Sequence, residues 1–392
     1  MNRNETSALV QEIMLDFARL TGLSPASDHP RRYLWTDAFA VCNYLELFRQ
    51  TNDKTFIDLA LRLVDQVHHT LGRHRDDDPR RGWISGLDSL EGERHPTIRG
   101  LRIGKRLNER KADEPPIERL EWDQDGQYYH YLTKWMHALS RVSKVTGDPS
   151  YIRWAIELAQ AAHARFTCAP PYGGRKRMYW KMSIDLTYPL VPSMGQHDPL
   201  DGFVTYSELQ ATATRDFKES SLPDLKDEIA DMAEICRGMG TSLATDDPLG
   251  IGGLLFDASR IAQLMIQSGF KYESLLETVV GSALLGMDAF ARGNSLEYPA
   301  EYRLAFRELG LSIGLNAIEN LQKGIEENPG LFSREKLHRR VEALMGYVPL
   351  GKTINQFWMD GKNREAGTWT EHREINMVML ATSLAPGEFL MI

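Results

Sequence analysis

The chain has 392 residues, of which 42% are hydrophobic and 26% charged, the balance of a soluble globular protein with a sizeable core. A formal net charge of −8 and a pI near 5.8 exclude a basic nucleic-acid groove and give no attraction to anionic membranes. The opening residues, MNRNETSALVQEIMLDFARL, hold no apolar run suited to a signal peptide or a membrane span. Three scattered cysteines, Cys42, Cys168 and Cys236, make neither a disulfide framework nor a CxxC clip, so a reducing cytoplasm is the expected compartment.

In chain order the apolar period is helical. ALVQEIMLDFARL repeats apolar residues every three to four positions, and YLWTDAFAVCNYLELFRQ does the same. KTFIDLALRLVDQVHHTL comes after a Thr51-Asn52-Asp53 turn. A second pair, QYYHYLTKWMHALSRVSKV and PSYIRWAIELAQAAHARF, flanks Thr146-Gly147-Asp148 and aligns with the first at an offset of 95 residues. Thr51 falls on Thr146, Asp53 on Asp148, Ile57 on Ile152, Leu63 on Leu158 and His68 on His163. Asp53 and Asp148 occupy helix N-cap positions, where a carboxylate accepts backbone N–H bonds. The unit is a helical hairpin, and it recurs.

Further candidates are SELQATATRDF with LPDLKDEIADMAEICRGM, then DPLGIGGLLFDASRIAQLMIQSG with YESLLETVVGSALLGMDAFA. PAEYRLAFRELGLSIGLNAIENLQKGI with SREKLHRRVEALM comes next, and WTEHREINMVMLATSL is last. The spacing predicts about a dozen helices and none of the strand-helix alternation of a parallel sheet. Two stretches break the helical rule and read as insertions of lid or binding-loop type. Residues 73–124 are highly charged, with an Asp76-Asp77-Asp78 run that reads as solvated loop. Residues 170–206 contain MYWKMSIDLTYPLV, whose alternation suggests short strands.

GYVPLGKT, residues 346–353, spells the phosphate-loop pattern G-x-x-x-x-G-K-T. A helical stretch precedes it where a buried strand is required, Pro349 removes an amide donor, and only 39 residues follow Thr353. It reads as a helix end closed by Gly346 and a turn. GIGG at 250–253 lacks the rest of a dinucleotide fingerprint and reads as a place where helices approach closely.

Sequential helical hairpins close either as a solenoid, with a period of about 34 residues for the tetratricopeptide kind, or as a ring of six, an (α/α)6 toroid. The spacing of 95 residues and the long insertions suit the toroid, as one domain spanning 1–392. In architecture and hairpin style the chain resembles the six-hairpin glycosidase-like superfamily, which includes glycoside hydrolases and the N-acylglucosamine 2-epimerase family. The expected class is all-α, with short strands in the insertions.

A toroid of this kind points the N-terminal ends of its inner helices at one cavity. The inner starts read RRYLWTDAF, EWDQDGQYYHYLTKW, MGQHDPLDGF, TDDPLGIGG, EYPAEYRLAFRE and GTWTEHREIN, and they concentrate aromatic and titratable residues. Rings stack on sugar faces, and carboxylates or histidines transfer protons at sugar carbons and oxygens. The catalytic candidates are Asp37, His130, His197, Asp198, Glu371 and His372. The substrate-binding candidates are Trp35, Tyr129, Asp201, Arg303, Arg307 and Trp369.

Each residue also has a structural reading. Asp37 and His130 suit satisfied interior positions, and Asp123 and Asp125 suit helix caps. His197, Asp198 and Asp201 suit either catalysis, an Asp-Pro turn, or a cation site. Arg303 and Arg307 with Glu301 and Glu308 suit a salt network as well as a substrate carboxylate. Glu371 and Glu374 suit a helix dipole.

The reading that leads is a cytoplasmic carbohydrate-active enzyme of glycoside hydrolase type. Its carboxylates would be Asp37, Asp198 and Glu371, with no cofactor, resident metal, nucleic acid or membrane partner. Sugar epimerisation or isomerisation by a histidine pair drawn from His130, His197 and His372 is the first alternative. A non-enzymatic helical scaffold is the second. The oligomeric state is not written in the sequence.

Overall fold

The computed structural model describes residues 3–170, 173–218, 220–237, 239 and 243–392. Pro171 and Tyr172 of the second insertion, and Gly238 at the end of LPDLKDEIADMAEICRGM, lie outside the described residues. The chain forms two compact units, residues 18–238 and residues 1–17 with 239–392.

Helix α1 (Arg3–Leu20) opens the chain. The 18–238 unit then holds α2 (Leu34–Thr51), α3 (Lys54–Leu71), α4 (Ser89–Arg94), α5 (Glu118–Glu121), α6 (Tyr129–Thr146), α7 (Pro149–Phe166), α8 (Asp198–Asp216) and α9 (Lys226–Arg237). The two matched hairpins are α2–α3 and α6–α7. Asp53 accepts from Thr55 N at 2.9 Å and Asp148 from Ser150 N at 2.8 Å, so both aspartates cap as their positions predict. Helix α2 packs on α6 and α6 on α8, while α3, α7 and α9 back them. The burial reflects this layering: α2 is buried nearly all round, whereas α3 buries one stripe. Helix α8 starts nine residues before SELQATATRDF, because Pro199 fits a first helical turn.

Short strands do lie in the second insertion, and they pair with two strands outside it. β1 (Gln127–Tyr128), β4 (Lys181–Met182) and β5 (Pro189–Val191) form one antiparallel sheet in the order β1-β4-β5, and β2 (Thr167–Cys168) pairs with β3 (Arg177–Met178). Asp125 is not a helix cap. It is fully buried, accepts from the backbone N–H of Gly104 at 3.0 Å and of Gly126 at 3.1 Å, and pairs with Arg102 at 2.8 Å. The carboxylate thus ties the 73–124 insertion to the start of α6. Asp78 also departs from the solvated-loop reading, being buried against the Arg80 guanidinium at 2.8 Å.

The other unit holds α10 (Pro248–Ser268), α11 (Glu273–Arg292), α12 (Ala305–Glu327), α13 (Glu335–Met345), α14 (Val348–Met359), α15 (Gly367–Thr370), α16 (Arg373–Leu384) and α17 (Gly387–Leu390). On length and composition α10 and α11 could cross a bilayer, a test that core helices also pass. Helix α10 lies on α12, and α12 also meets α14 and α16. GIGG sits at the first of these crossings. A Cβ at Gly252 would lie 2.1 Å from the carbonyl oxygen of Gly310, and one at Gly314 would lie 2.6 Å from the Gly252 Cα. Backbone meets backbone there, so nothing flexible can yield. Gly252→Ala should cost about 1–3 kcal/mol, read as a lower denaturant midpoint at unchanged slope.

GYVPLGKT is helix where a turn is expected after Gly346. Tyr347 follows the end of α13, and α14 begins at Val348 with Pro349 in its first turn. Lys352 and Thr353 are exposed residues inside that helix, and α13 precedes the segment where a strand would be needed. Helical bonding uses the amides that a phosphate cradle would require. Lys352→Ala should leave ATP titration calorimetry unchanged from a flat wild-type trace.

Candidate active site

The starts of α2, α6 and α8 meet in the 18–238 unit. Asp198 opens α8, where the helix dipole favours a carboxylate. Burial outweighs the dipole. Desolvation, helped by repulsion from Asp201 and opposed by Lys134, pushes the Asp198 carboxyl up to about 8. Its Oδ2 has no hydrogen-bond partner among the described residues, and its Oδ1 lies 3.9 Å from His130 Nδ1. Gly195 makes the fit possible, since a Cβ there would stand 2.3 Å from Asp198 Oδ2.

Three residues along α8, Asp201 has a different environment. Lys134 Nζ donates to both of its oxygens at 2.8 Å, and Thr133 Oγ1 donates at 2.5 Å. Two neighbouring carboxyls thus differ in surroundings: Asp198 holds its proton at neutral pH, whereas Asp201 is held by Lys134 and Thr133. This ammonium stands at the place a cation would take on Asp201. Among the described residues no group of three or more His, Cys, Asp or Glu is arranged to hold a metal ion.

His130 is half-buried within a wall of rings. Tyr128 lies 5.4 Å away, Tyr131 4.7 Å edge-on, and Trp180 6.3 Å in a stacked arrangement. Burial, with the Lys134 charge adding, lowers its imidazole to about 4, so the ring is neutral at pH 7 and keeps a lone pair. The wall continues through Tyr33, whose hydroxyl shares a 2.6 Å hydrogen bond with that of Tyr131, and through Trp35, 6.4 Å from Tyr131. At the other end Trp122, 51% exposed, stands edge-on to Trp180 at 5.3 Å.

The remaining candidates of this unit have structural anchors. Asp37 is buried against Arg32 at 3.3 Å and accepts from the backbone N–H of Tyr33 at 2.9 Å. Burial raises it to about 6 against the pull of that guanidinium. Tyr129 points inward and not to the ring wall. It is fully buried, and its hydroxyl donates to Tyr206 at 2.8 Å. His197 is the half-buried cap of α8, its carbonyl accepting from Asp201 N at 3.0 Å.

In the other unit Arg303 is closed in by Glu308 at 2.7 Å and lies 3.6 Å over the Phe357 ring, which gives it the salt-network role. Arg307 pairs with Asp247 and lines a cavity of about 310 Å³ at the starts of α10 and α12. Trp369 is buried and stacked on Trp358 at 5.7 Å, Glu371 is exposed, and His372 meets Phe306 edge-on at 5.6 Å. A second cavity of about 590 Å³ lies between α1 and residues 361–380.

Tyr33, Tyr128, Tyr131, Lys134 and Trp180 are not among the candidates named from the sequence. All but Trp180 stand in the helix starts where the site was sought. Trp180 reaches the wall because β4 pairs with β1 across the second insertion, a contact no local pattern signals.

No family model matches the chain, and no curated protein matches it. Solved structures do. A GH76 α-mannanase from Bacteroides thetaiotaomicron superposes with a TM-score of 0.55 at 10% identity, covering 98% of this chain and 97% of the mannanase. A GH76A α-1,6-mannanase from Salegentibacter sp. gives 0.53 at 10% identity over 97% of this chain and 99% of its own. A D-mannose isomerase gives 0.50 at 11% identity over 98% and 97%. The structural neighbours are thus a glycoside hydrolase class and a sugar isomerase on one architecture. The chain shares the (α/α)6 toroid fold of these structures.

Proposed function

We propose that this chain is a carbohydrate-active enzyme that works by proton transfer between Asp198 and His130, and that it isomerises or epimerises a sugar. The observation that carries this reading is the 3.9 Å pairing of a carboxyl raised to about 8 with a neutral imidazole, beside a wall of rings. At pH 7 one partner carries a proton to give and the other has a lone pair to receive one. On an open-chain aldose, His130 takes the C2 proton while the Asp198 carboxyl protonates the carbonyl oxygen, which leaves a neutral enediol. Return of the proton to C1, as the Asp198 carboxylate takes the O2 hydroxyl proton, gives the ketose. Return to the opposite face of C2 once the enediol has turned, as Asp198 takes back the O1 proton, gives the epimer. The rings present flat faces to the sugar.

Hydrolysis is the second reading, favoured by two observations. A carboxyl of raised pKa is what a glycosidase acid requires. The wall extends to the exposed Trp122, which offers stacking for more than one sugar unit. Against it stands the condition of the other two carboxylates beside this site: Arg32 holds Asp37 and Lys134 holds Asp201. A glycosidase needs a second carboxylate that reaches sugar or water.

Incubation with hexoses in D2O and with manno- and gluco-oligosaccharides separates the two chemistries. Deuterium at C1 of a ketose product supports the isomerase reading, and deuterium at C2 of an epimer supports the epimerase reading. Release of reducing sugar without exchange supports hydrolysis. Conversion that is undiminished in both Asp198→Asn and His130→Gln overturns the acid–base assignment.

A further inference from the structure

Among the described residues, the ring wall carries one cation that the protein leaves unpaired. Four cations nearby have partners: Arg102 meets Asp125, Arg110 meets Glu121, Lys134 meets Asp201, and Lys181 Nζ donates to the carbonyls of Glu121 at 2.6 Å and Gln124 at 2.8 Å. Lys105 differs. Its ammonium lies 5.2 Å over the Tyr33 ring, and among the described residues it makes no hydrogen bond or ion pair. Asp123 and Asp125 attract it from beyond ion-pair distance, and Asp125 is already held by Arg102 and two backbone amides.

The backbone beneath Lys105 is held firmly. Arg75 donates to the carbonyls of Lys105 and Arg106, and Gly104 N donates to Asp125. Gly104 itself has φ +93°, and a Cβ there would lie 2.3 Å from the Arg32 carbonyl oxygen, so only glycine allows this path. A fixed backbone, a half-buried ammonium and no partner make a poor structural cation, because partial burial without pairing costs free energy. Charge at the site points the same way. Asp198 and His130 are neutral at pH 7 and Lys134 pairs with Asp201, so the counter-charge left for Lys105 is Asp123, which lies beyond ion-pair distance.

Resting on the carbohydrate reading above, we infer that the substrate is a sugar bearing an anionic group, a carboxylate or a phosphate, and that Lys105 binds that group. Lys105 is a specificity residue: it touches substrate away from the reacting carbons and takes no part in proton transfer.

The test is titration calorimetry of wild type, Lys105→Met and Lys105→Arg with a hexuronate, a hexose 6-phosphate and the neutral hexose, each in gluco and manno configuration. Wild type should bind one anionic class at least about tenfold more tightly than the neutral sugar, in keeping with a charge-assisted hydrogen bond. Lys105→Met should erase that preference and leave neutral-sugar affinity within about twofold, and Lys105→Arg should restore part of it. Which class is preferred tells carboxylate from phosphate. Equal binding of neutral and anionic sugars by wild type, or an unchanged preference in Lys105→Met, overturns the inference. Neither result touches the Asp198–His130 assignment, which turnover and isotope exchange test separately.

Discussion

Asparagine in place of Asp198 should lower kcat by roughly 10²–10⁴-fold, the range for losing a positioned acid, and should make the folded protein more stable at pH 8. The two effects have one cause. The folded carboxyl titrates near 8, while an unfolded aspartate titrates at about 4. Between those values the unfolded chain has released a proton that the folded chain keeps, so stability falls as pH rises through this window. The amide removes that slope. Urea midpoints at pH 5 and pH 8 should therefore draw together in Asp198→Asn and stay apart in wild type. For turnover the needed forms are the acid of Asp198 and the neutral ring of His130, whose imidazole is lowered to about 4. Activity should be bounded by limbs at about 4 and about 8. A variant with intact kcat, or a wild type whose activity climbs past roughly pH 9, contradicts the role given to Asp198.

Alanine in place of Asp37 should cost about 3–5 kcal/mol, because it strands a guanidinium with no solvent access. The Arg32 side chain is 0% exposed, and besides Asp37 it donates to the carbonyl of Thr21 at 2.8 Å. The backbone N–H of Tyr33 would lose its acceptor as well, so the start of α2 and the Tyr33–Tyr131 hydrogen bond should loosen together. Removing both charges, with Arg32→Met and Asp37→Leu, should recover most of the loss, since the stranded charge and not the missing pair is the source of the penalty. Denaturant midpoints for the two single variants and the double variant check this. A double variant as unstable as Asp37→Ala would show that shape, not charge, dominates.

The hairpins were legible because their signals are local. Asp53 and Asp148 each cap the helix that begins one residue later, and a stripe of apolar residues repeats at the helical period. Helix α14 was not, because Gly346, Pro349 and Gly351 all look like breakers. Yet Pro349 stands in a first turn, where its ring fits, and Gly351 is buried against Ser312, where a Cβ would approach to 3.1 Å. Within the site, Asp198 and His130 stood out as titratable groups at helix starts. The ring wall did not, because in YYHY composition cannot say which tyrosine turns inward. Gly202 decides it: a Cβ there would lie 2.1 Å from the Tyr129 hydroxyl, so its absence makes room for that ring inside. Asp125 and Asp78 looked like cap and loop residues because their partners, Arg102 and Arg80, declare themselves only in three dimensions.

The most direct measurement of the central claim is a crystal structure of Asp198→Asn soaked with mono- and disaccharides, neutral and anionic, with turnover blocked. The expected result is a sugar lying flat on the wall of Tyr128, Tyr131 and Trp180, with an oxygen in hydrogen-bond reach of residue 198 and a carbon facing His130. A sugar bound elsewhere in the chain, with residue 198 and His130 untouched, would contradict it.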